Sequence, residues 1–175
     1  MGNMSTFIQK LSIILLGGYI ASNNMIQAQV QNLYPNPPDK IISTIVQQGT
    51  VMTGIGNIDV PLLRTTIIVS GSNDNETLKE IRGKLVNTSS INDVKRIKAY
   101  LAPDTYDLNI QNATLLGNAT VNSTGNFNIK LNNLCHLDNG NHYIWITADI
   151  SDMAKEGNTV DLQINSYLRE NGNTI

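Results

Sequence analysis

The chain has 175 residues, of which 41% are hydrophobic and 15% charged, and its formal net charge is −2. This length suits one domain and allows roughly two thirds of the unfolded surface to be buried. The charge lacks the basic character of a nucleic-acid-binding protein and indicates no attraction to anionic membranes. Because Cys135 is the only cysteine, an intramolecular disulfide is excluded.

Residues 1–28 have the pattern of a secretory signal peptide. Lys10 precedes an apolar run over residues 11–21, which is shorter than the roughly 20 residues of a membrane-spanning helix. Ala28 is a small residue suited to cleavage, so we expect the mature chain to begin near Gln29 and to lack a membrane span. An uncleaved anchor or a helix of the fold is the alternative. Export predicts a location in the periplasm or at the cell surface.

The segments that follow read as a series of strands. Residues 29–40 form an extended, proline-rich lead-in that is incompatible with a helix. Apolar and polar residues then alternate with the period of a β-strand. The predicted strands are 41–46, 50–55, 60–70, 77–88, 95–102, 114–121, 126–131, 142–150 and 159–167. We expect 114–121 and 126–131 to pair around the turn at 122–125, a corner at 91–94 and one helical turn at 152–155.

Eight or nine short strands separated by turn clusters predict an all-β protein, an antiparallel β-sandwich over residues 41–168. Residues 169–175 are expected to be a tail or the start of a linker. The strand that carries Tyr143 and Trp145 is predicted to be central. The expected buried residues are Val69, Leu85, Ile97, Leu101, Ile144, Ile146 and Leu162.

Tyr143 and Trp145 are the candidate binding residues, because alternation places them on one face of their strand. Their planar rings could form a platform on which sugars stack. The competing interpretation is core packing. Since Ile144 and Ile146 make the opposite face apolar as well, the pattern favours a strand covered on both sides, and core packing is the favoured interpretation.

Several other residues raise the question of a metal site or a nucleophile. Oxygen ligands near one corner could bind calcium, but they lack the spacing of a calcium loop, and turn capping is favoured. These residues are Asp149, Asp152, Glu156, Asn158 and Asp161. His136 and His142 have no third ligand in a suitable arrangement, so we predict neither a metal nor a cofactor. Cys135 and His136 should point to opposite faces of a strand, which favours a buried, structural cysteine.

Three motifs together resemble the amino-terminal domain that precedes the BNR-repeat propeller of Bacteroidetes sialidases. The first is the pair Leu63-Arg64, which leads into an apolar strand ending in Gly71. The second is a corner from Thr88 to Val94 before a basic strand with Tyr100. The third is the most specific, and it runs from Leu137 through Gly140, His142, Tyr143, Trp145, Asp149-Ile150, Ala154 and Gly157-Asn158 to Val160 and Asp161.

The resemblance implies an immunoglobulin-like or jelly-roll sandwich that is accessory to a catalytic sialidase propeller and assists glycan binding or orients that propeller. The family's catalytic module uses an arginine triad and Ser-x-Asp-x-Gly-x-Thr-Trp boxes. This chain has no such box, and its arginines are Arg64, Arg82, Arg96 and Arg169. We therefore expect that the chain alone is not an enzyme and does not hydrolyse a fluorogenic sialoside. The alternative function is a free-standing structural or adhesive domain that binds a protein partner.

Overall fold

The computed structural model describes residues 40–48, 52–70, 76–103 and 108–174. The predicted signal peptide and the lead-in up to residue 39 lie outside these residues. Eight strands are present in the described ranges, with a short 3-10 turn, Ile91–Asp93, before the fourth. The strands are β1 (Lys40–Gln48), β2 (Val60–Ser70), β3 (Glu76–Val86), β4 (Val94–Ala102), β5 (Thr114–Ala119), β6 (Asn126–Leu137), β7 (Gly140–Ile150) and β8 (Asp161–Arg169).

The strands form two sheets. Sheet A has five strands in the order β1-β2-β7-β4-β5, and sheet B has three in the order β6-β3-β8. Every pair of neighbouring strands is antiparallel. The predicted all-β sandwich is confirmed, and so is the central position of β7, the strand of Tyr143 and Trp145.

Alternation along each strand supplies the core between the two sheets. In β2, the side chains of Leu63, Thr65 and Ile67 are buried, and Ile144 and Ile146 lie beside them on β7. Burying one such aliphatic side chain stabilises the fold by about 1.5–3 kcal/mol. All the residues predicted to be buried are buried except Leu101, which packs against the core while partly exposed.

The predicted strand at 50–55 is wrong for the residues that the structure describes, because 52–59 form a loop. The amide of Asn57 donates a hydrogen bond of 3.3 Å to the carbonyl of Gly54, so the chain turns where the strand was predicted to end, and Gly56 within that turn has a positive φ of 75°. The backbone amide of Ile150 donates a hydrogen bond of 2.8 Å to the carbonyl of Asn57. This bond holds the loop against the end of β7.

The predicted pairing of 114–121 with 126–131 is also wrong, because β5 pairs with β4 in sheet A and β6 pairs with β3 in sheet B. The turn at 122–125 therefore carries the chain from one sheet to the other. The predicted helical turn at 152–155 is a hydrogen-bonded turn, in which Ala154 donates to the carbonyl of Ser151 over 3.1 Å. The predicted corner at 91–94 is present as the 3-10 turn.

The predicted tail folds back on β8 instead of leaving it. Thr174 forms an isolated antiparallel bridge with Leu168, and the amide of Arg169 donates to the carbonyl of Asn173 over 2.8 Å. The strand itself runs one residue past the predicted end of the sandwich, to Arg169. Residues 169–174 thus belong to the edge of sheet B.

Candidate functional site

The outer face of sheet A carries a set of aromatic side chains around one arginine. Register pairs Arg64 of β2 with Trp145 of β7, and Trp145 with Tyr100 of β4. Tyr143 lies one pleat along β7 from Trp145, on the same side of the sheet. We call these four residues, Arg64, Tyr100, Tyr143 and Trp145, the aromatic face.

Arg64 lies between the two rings of β7. Its guanidinium carbon is 5.6 Å from the ring centroid of Tyr143 and 5.8 Å from that of Trp145. Although it is on the outer side of the sheet, Arg64 is only 7% exposed. Cation–π contacts of this kind stabilise by about 0.5–2 kcal/mol each, depending on solvation. The arginine therefore fixes the orientation of both rings.

Tyr143 and Trp145 do not belong to the core, so the favoured interpretation of the sequence is wrong for them. Both are half-buried on the outer face, whereas Ile144 and Ile146 are fully buried between the sheets. The described strands place no third layer over sheet A. The indole Nε1 of Trp145 is shielded from solvent and has no hydrogen-bond partner among the described residues.

A charged cluster adjoins the aromatic face at the end of the sheet where β2 begins. The amine of Lys98 lies 2.8 Å from a carboxylate oxygen of Asp59 and 2.8 Å from one of Asp149. The hydroxyl of Tyr100 donates to the same oxygen of Asp59 over 2.8 Å. The backbone amide of Asp59 in turn donates to Asp149 over 3.1 Å. Two carboxylates and one ammonium are therefore held together beside the aromatic rings.

This environment shifts two pKa values. Burial lowers the pKa of Lys98, but the hydrogen bonds to Asp149 and Asp59 outweigh it and raise that pKa above its ordinary value. Burial and the hydrogen bond to Asp59 raise the pKa of Tyr100. Both groups keep their protons at neutral pH. The cluster is accordingly a fixed ion-pair network in which neither Lys98 nor Tyr100 is deprotonated.

The structure distributes the acidic corner residues among separate contacts. Asp149 binds Lys98, Asp152 approaches Lys95 at 3.7 Å, and the amide of Asn158 donates to Asp93 over 2.7 Å. Asp161 accepts from the backbone of Leu162 over 2.7 Å, and Glu156 is exposed. No group of three or more histidine, cysteine or acidic side chains that could hold a metal ion occurs within the described ranges.

The remaining candidates are also separate. His136 contacts the hydroxyl of Thr77 at 3.0 Å, and His142 contacts the carbonyl of Asp138 at 2.8 Å. Cys135 is buried beside an exposed His136, as alternation predicts. Burial raises the pKa of the Cys135 thiol to about 11, which keeps it protonated and unreactive at neutral pH.

Sequence reasoning did not identify Arg64, Tyr100 or Asp59 as parts of this site. The outward position of Arg64 could have been predicted from β2. Residues 63, 67 and 69 are apolar and mark the face toward the core, so the even-numbered residues, including Arg64, lie on the outer face. Asp59 gave no local signal, since its partners Lys98 and Tyr100 are 39 and 41 residues away.

The sequence matches no protein-family model and no curated protein. No helix in the described part of the chain is long and apolar enough to cross a membrane.

Proposed function

We propose that this chain is a non-catalytic accessory domain of an exported, sialidase-like glycoside hydrolase, and that it binds glycan through the aromatic face. The observation that carries the proposal is the position of Tyr143 and Trp145. They lie side by side on the outer face of a central strand and are half-buried. The resemblance of the segment from Leu137 to Asp161 to sialidase amino-terminal domains supports the same function.

The chemistry of the aromatic face suits a sugar. The apolar faces of pyranose rings pack against aromatic planes, and the polar tips of tyrosine and tryptophan donate hydrogen bonds at the rim. The positive charge of Arg64 adds a local attraction for a glycan that carries a carboxylate.

The arrangement of the arginines supports an accessory role. Sialoside hydrolysis needs cations that converge on one carboxylate beside an activated nucleophile. Arg64 and Arg96 lie on strands of sheet A, while Arg82 and Arg169 lie on strands of sheet B. On this proposal, catalysis belongs to a propeller domain that this domain orients toward its substrate.

The proposal is tested by titrating the full chain with sialyllactose and with lactose, followed by NMR. We expect W145A to weaken binding about tenfold, because aromatic anchors dominate contacts of this kind. The control is M153A, which removes an exposed apolar side chain from a different part of the surface. Binding that is unchanged in W145A, with the fold intact by urea denaturation, would contradict an aromatic-face site.

An adhesive domain that binds a protein partner is the second candidate, favoured by exposed apolar side chains at one end of the sandwich. Met52 and Ile58 are 98% and 69% exposed, and Met153 is 89% exposed in the neighbouring turn. The two segments are adjacent, because a Cβ on Gly56 would lie 2.7 Å from the Asp152 carboxylate. Sequencing the gene beyond Ile175 separates the two candidates. A following propeller with Ser-x-Asp-x-Gly-x-Thr-Trp boxes supports the accessory domain, and a stop codon supports the adhesive domain.

A further inference from the structure

A polar groove lies at one edge of the sandwich, where β5 of sheet A and the β5–β6 corner meet the strands of sheet B. Its volume is about 600 Å³, within the range of about 300–1,000 Å³ that is usual for ligand pockets. Amide and hydroxyl side chains dominate its lining, namely Asn118, Thr120, Asn122, Asn126, Asn128 and Asn165. We call it the asparagine groove.

One wall of the groove is held rigid by its own turn. The side-chain oxygen of Asn122 accepts from the backbone amides of Thr124 and Asn126, over 3.0 and 2.9 Å. The side-chain amide of Asn126 donates to the Thr124 hydroxyl over 2.7 Å. The side chains of Asn122 and Asn126 therefore stabilise the turn, and the turn forms one preformed wall of the groove.

Other groups in the groove remain available to a ligand. The side chains of Asn118 and Thr120 are exposed and make no hydrogen bond to any residue that the structure describes. Asn118 lies on β5 and Thr120 directly follows that strand, so they belong to the same side of the groove. An amide carries both donors and acceptors, which match the hydroxyl groups of a sugar.

Two cations, Arg82 and Lys130, lie beside one carboxylate, that of Glu80, which faces Lys130 across the β3–β6 ladder. Arg82 forms an ion pair with Glu80, whereas Lys130 makes no salt bridge with a described residue and is exposed. Burial raises the pKa of Glu80, but the hydrogen bonds from Arg82 and Asn128 outweigh it and lower that pKa overall. Glu80 therefore stays ionised at neutral pH, and two cations face one carboxylate.

An apolar floor lies between these polar walls. Phe127 lines the groove and is almost completely buried, and its ring covers Gly83 on β3. A Cβ on Gly83 would lie 2.3 Å from that ring, so only glycine allows this packing. Phe127 therefore closes the base of the groove from the core side.

We infer that the asparagine groove is a second glycan-binding site, which takes a short oligosaccharide bearing a carboxylate group. The carboxylate binds Lys130, and the hydroxyl groups bind Asn118 and Thr120. The inference rests on the proposed role in glycan binding but adds a second contact region, at the junction of β5 with sheet B. Two sites on one domain allow avidity for a branched or extended glycan.

Titration of the full chain with sialyllactose and lactose tests the inference, with NMR signals of the two sites observed separately. We expect K130Q to weaken sialyllactose binding at the groove about tenfold. The variant replaces a charge-assisted hydrogen bond to the sugar carboxylate by a neutral one, and hydrogen bonds to charged groups contribute more to binding. Lactose binding at the groove should change less than twofold. N118A should weaken the binding of both sugars.

Two matched variants serve as controls. K84Q removes the same charge from the same face of sheet B, outside the groove, and N132A removes an exposed amide from β6. Neither should alter binding. If W145A abolishes all sialyllactose binding while K130Q and N118A leave it intact, the groove inference fails and the proposed function stands.

The converse result, loss in K130Q and N118A but not in W145A, supports the groove and contradicts the aromatic-face site. Failure of the wild-type chain to bind either sugar would overturn both. Equal losses in K130Q and K84Q would show a general effect of charge and would also overturn the groove inference.

Discussion

Lys98 has an unusual position for a lysine, because it serves two carboxylates at once. Its side chain is only 13% exposed, and those of Asp59 and Asp149 are 17% and 10% exposed. Asp59 also has a positive φ of 56°, a conformation that costs a non-glycine residue free energy. The ion pairs and the hydrogen bond from the backbone amide of Asp59 to Asp149 offset that cost, so Lys98 secures the loop 52–59 on sheet A.

We predict that K98M destabilises the protein by about 3 kcal/mol, because it leaves two shielded carboxylates without their cation. Urea denaturation at pH 7 measures the effect. The control is K95M, which removes a lysine whose pair with Asp152 is exposed on both sides. That variant should lose no more than about 0.5 kcal/mol. Equal losses in the two variants would contradict the role assigned to Lys98.

For individual residues, the sequence predicted which side chains share a strand face, but not whether that face points to the core or to solvent. Tyr143 and Trp145 were identified because aromatic residues on one face of a strand are visible in the alternation. Whether that face looks inward or outward depends on which sheet opposes it. No local pattern contains that information when both faces are apolar.

Among the elements, β5 and β6 make the closest contact between the edges of the two sheets. Gly117 of β5 faces the backbone of β6, where a Cβ would lie 2.4 Å from the carbonyl oxygen of Lys130. A backbone carbonyl cannot move aside as a flexible side chain can. The absence of a side chain at Gly117 therefore sets the distance between these strands, and with it one wall of the asparagine groove.

We predict that G117A destabilises the protein by about 2 kcal/mol, as overpacking of a close contact does. G54A is the matched control, because its Cβ would meet only the Asn57 side chain, at 3.4 Å. The free energy of unfolding of G54A should differ from that of the wild type by no more than about 0.5 kcal/mol. Thermal or urea unfolding distinguishes the two, and a neutral G117A would show that the β5–β6 contact can relax.

The positions of the strands could be predicted closely from the sequence, but which strands pair with one another could not. The strand predicted at 60–70 has the observed bounds, and the odd positions on which the prediction rested, Leu63, Thr65, Ile67 and Val69, are all buried. The turn at 122–125 looked like a hairpin, yet it connects two sheets. A turn sequence specifies a reversal of the chain, and it does not specify whether the returning strand pairs with its predecessor.

For the molecule as a whole, the buried titratable groups predict a loss of stability in alkali. Burial raises the pKa of Tyr167 from 10.0 to about 12 and that of Cys135 from 9.0 to about 11. In each case the folded value exceeds the unfolded one, so the native state favours the protonated form. The contribution of these two groups to the free energy of unfolding is fully present below about pH 9, and it disappears as the pH rises through their pKa values in the folded state.

We therefore predict that the free energy of unfolding falls between pH 9 and pH 12, and that Y167F removes part of that fall. The variant should retain about 2 kcal/mol more of its stability than the wild type over this interval. Urea midpoints at several pH values measure it. Parallel pH profiles for Y167F and the wild type would contradict the assignment of the alkaline loss to Tyr167.

The sequence by itself determined an all-β sandwich and nearly all of its strand positions, because the period of two in hydrophobicity is a local property of each strand. Only the tertiary structure decided which strands are neighbours and which faces are open. The Asp59–Asp149 contact joins residues 90 positions apart, and the asparagine groove combines side chains from β3, β6 and β8 with those of the β5–β6 corner. Such contacts depend on strand order and register, which the global packing of the two sheets decides.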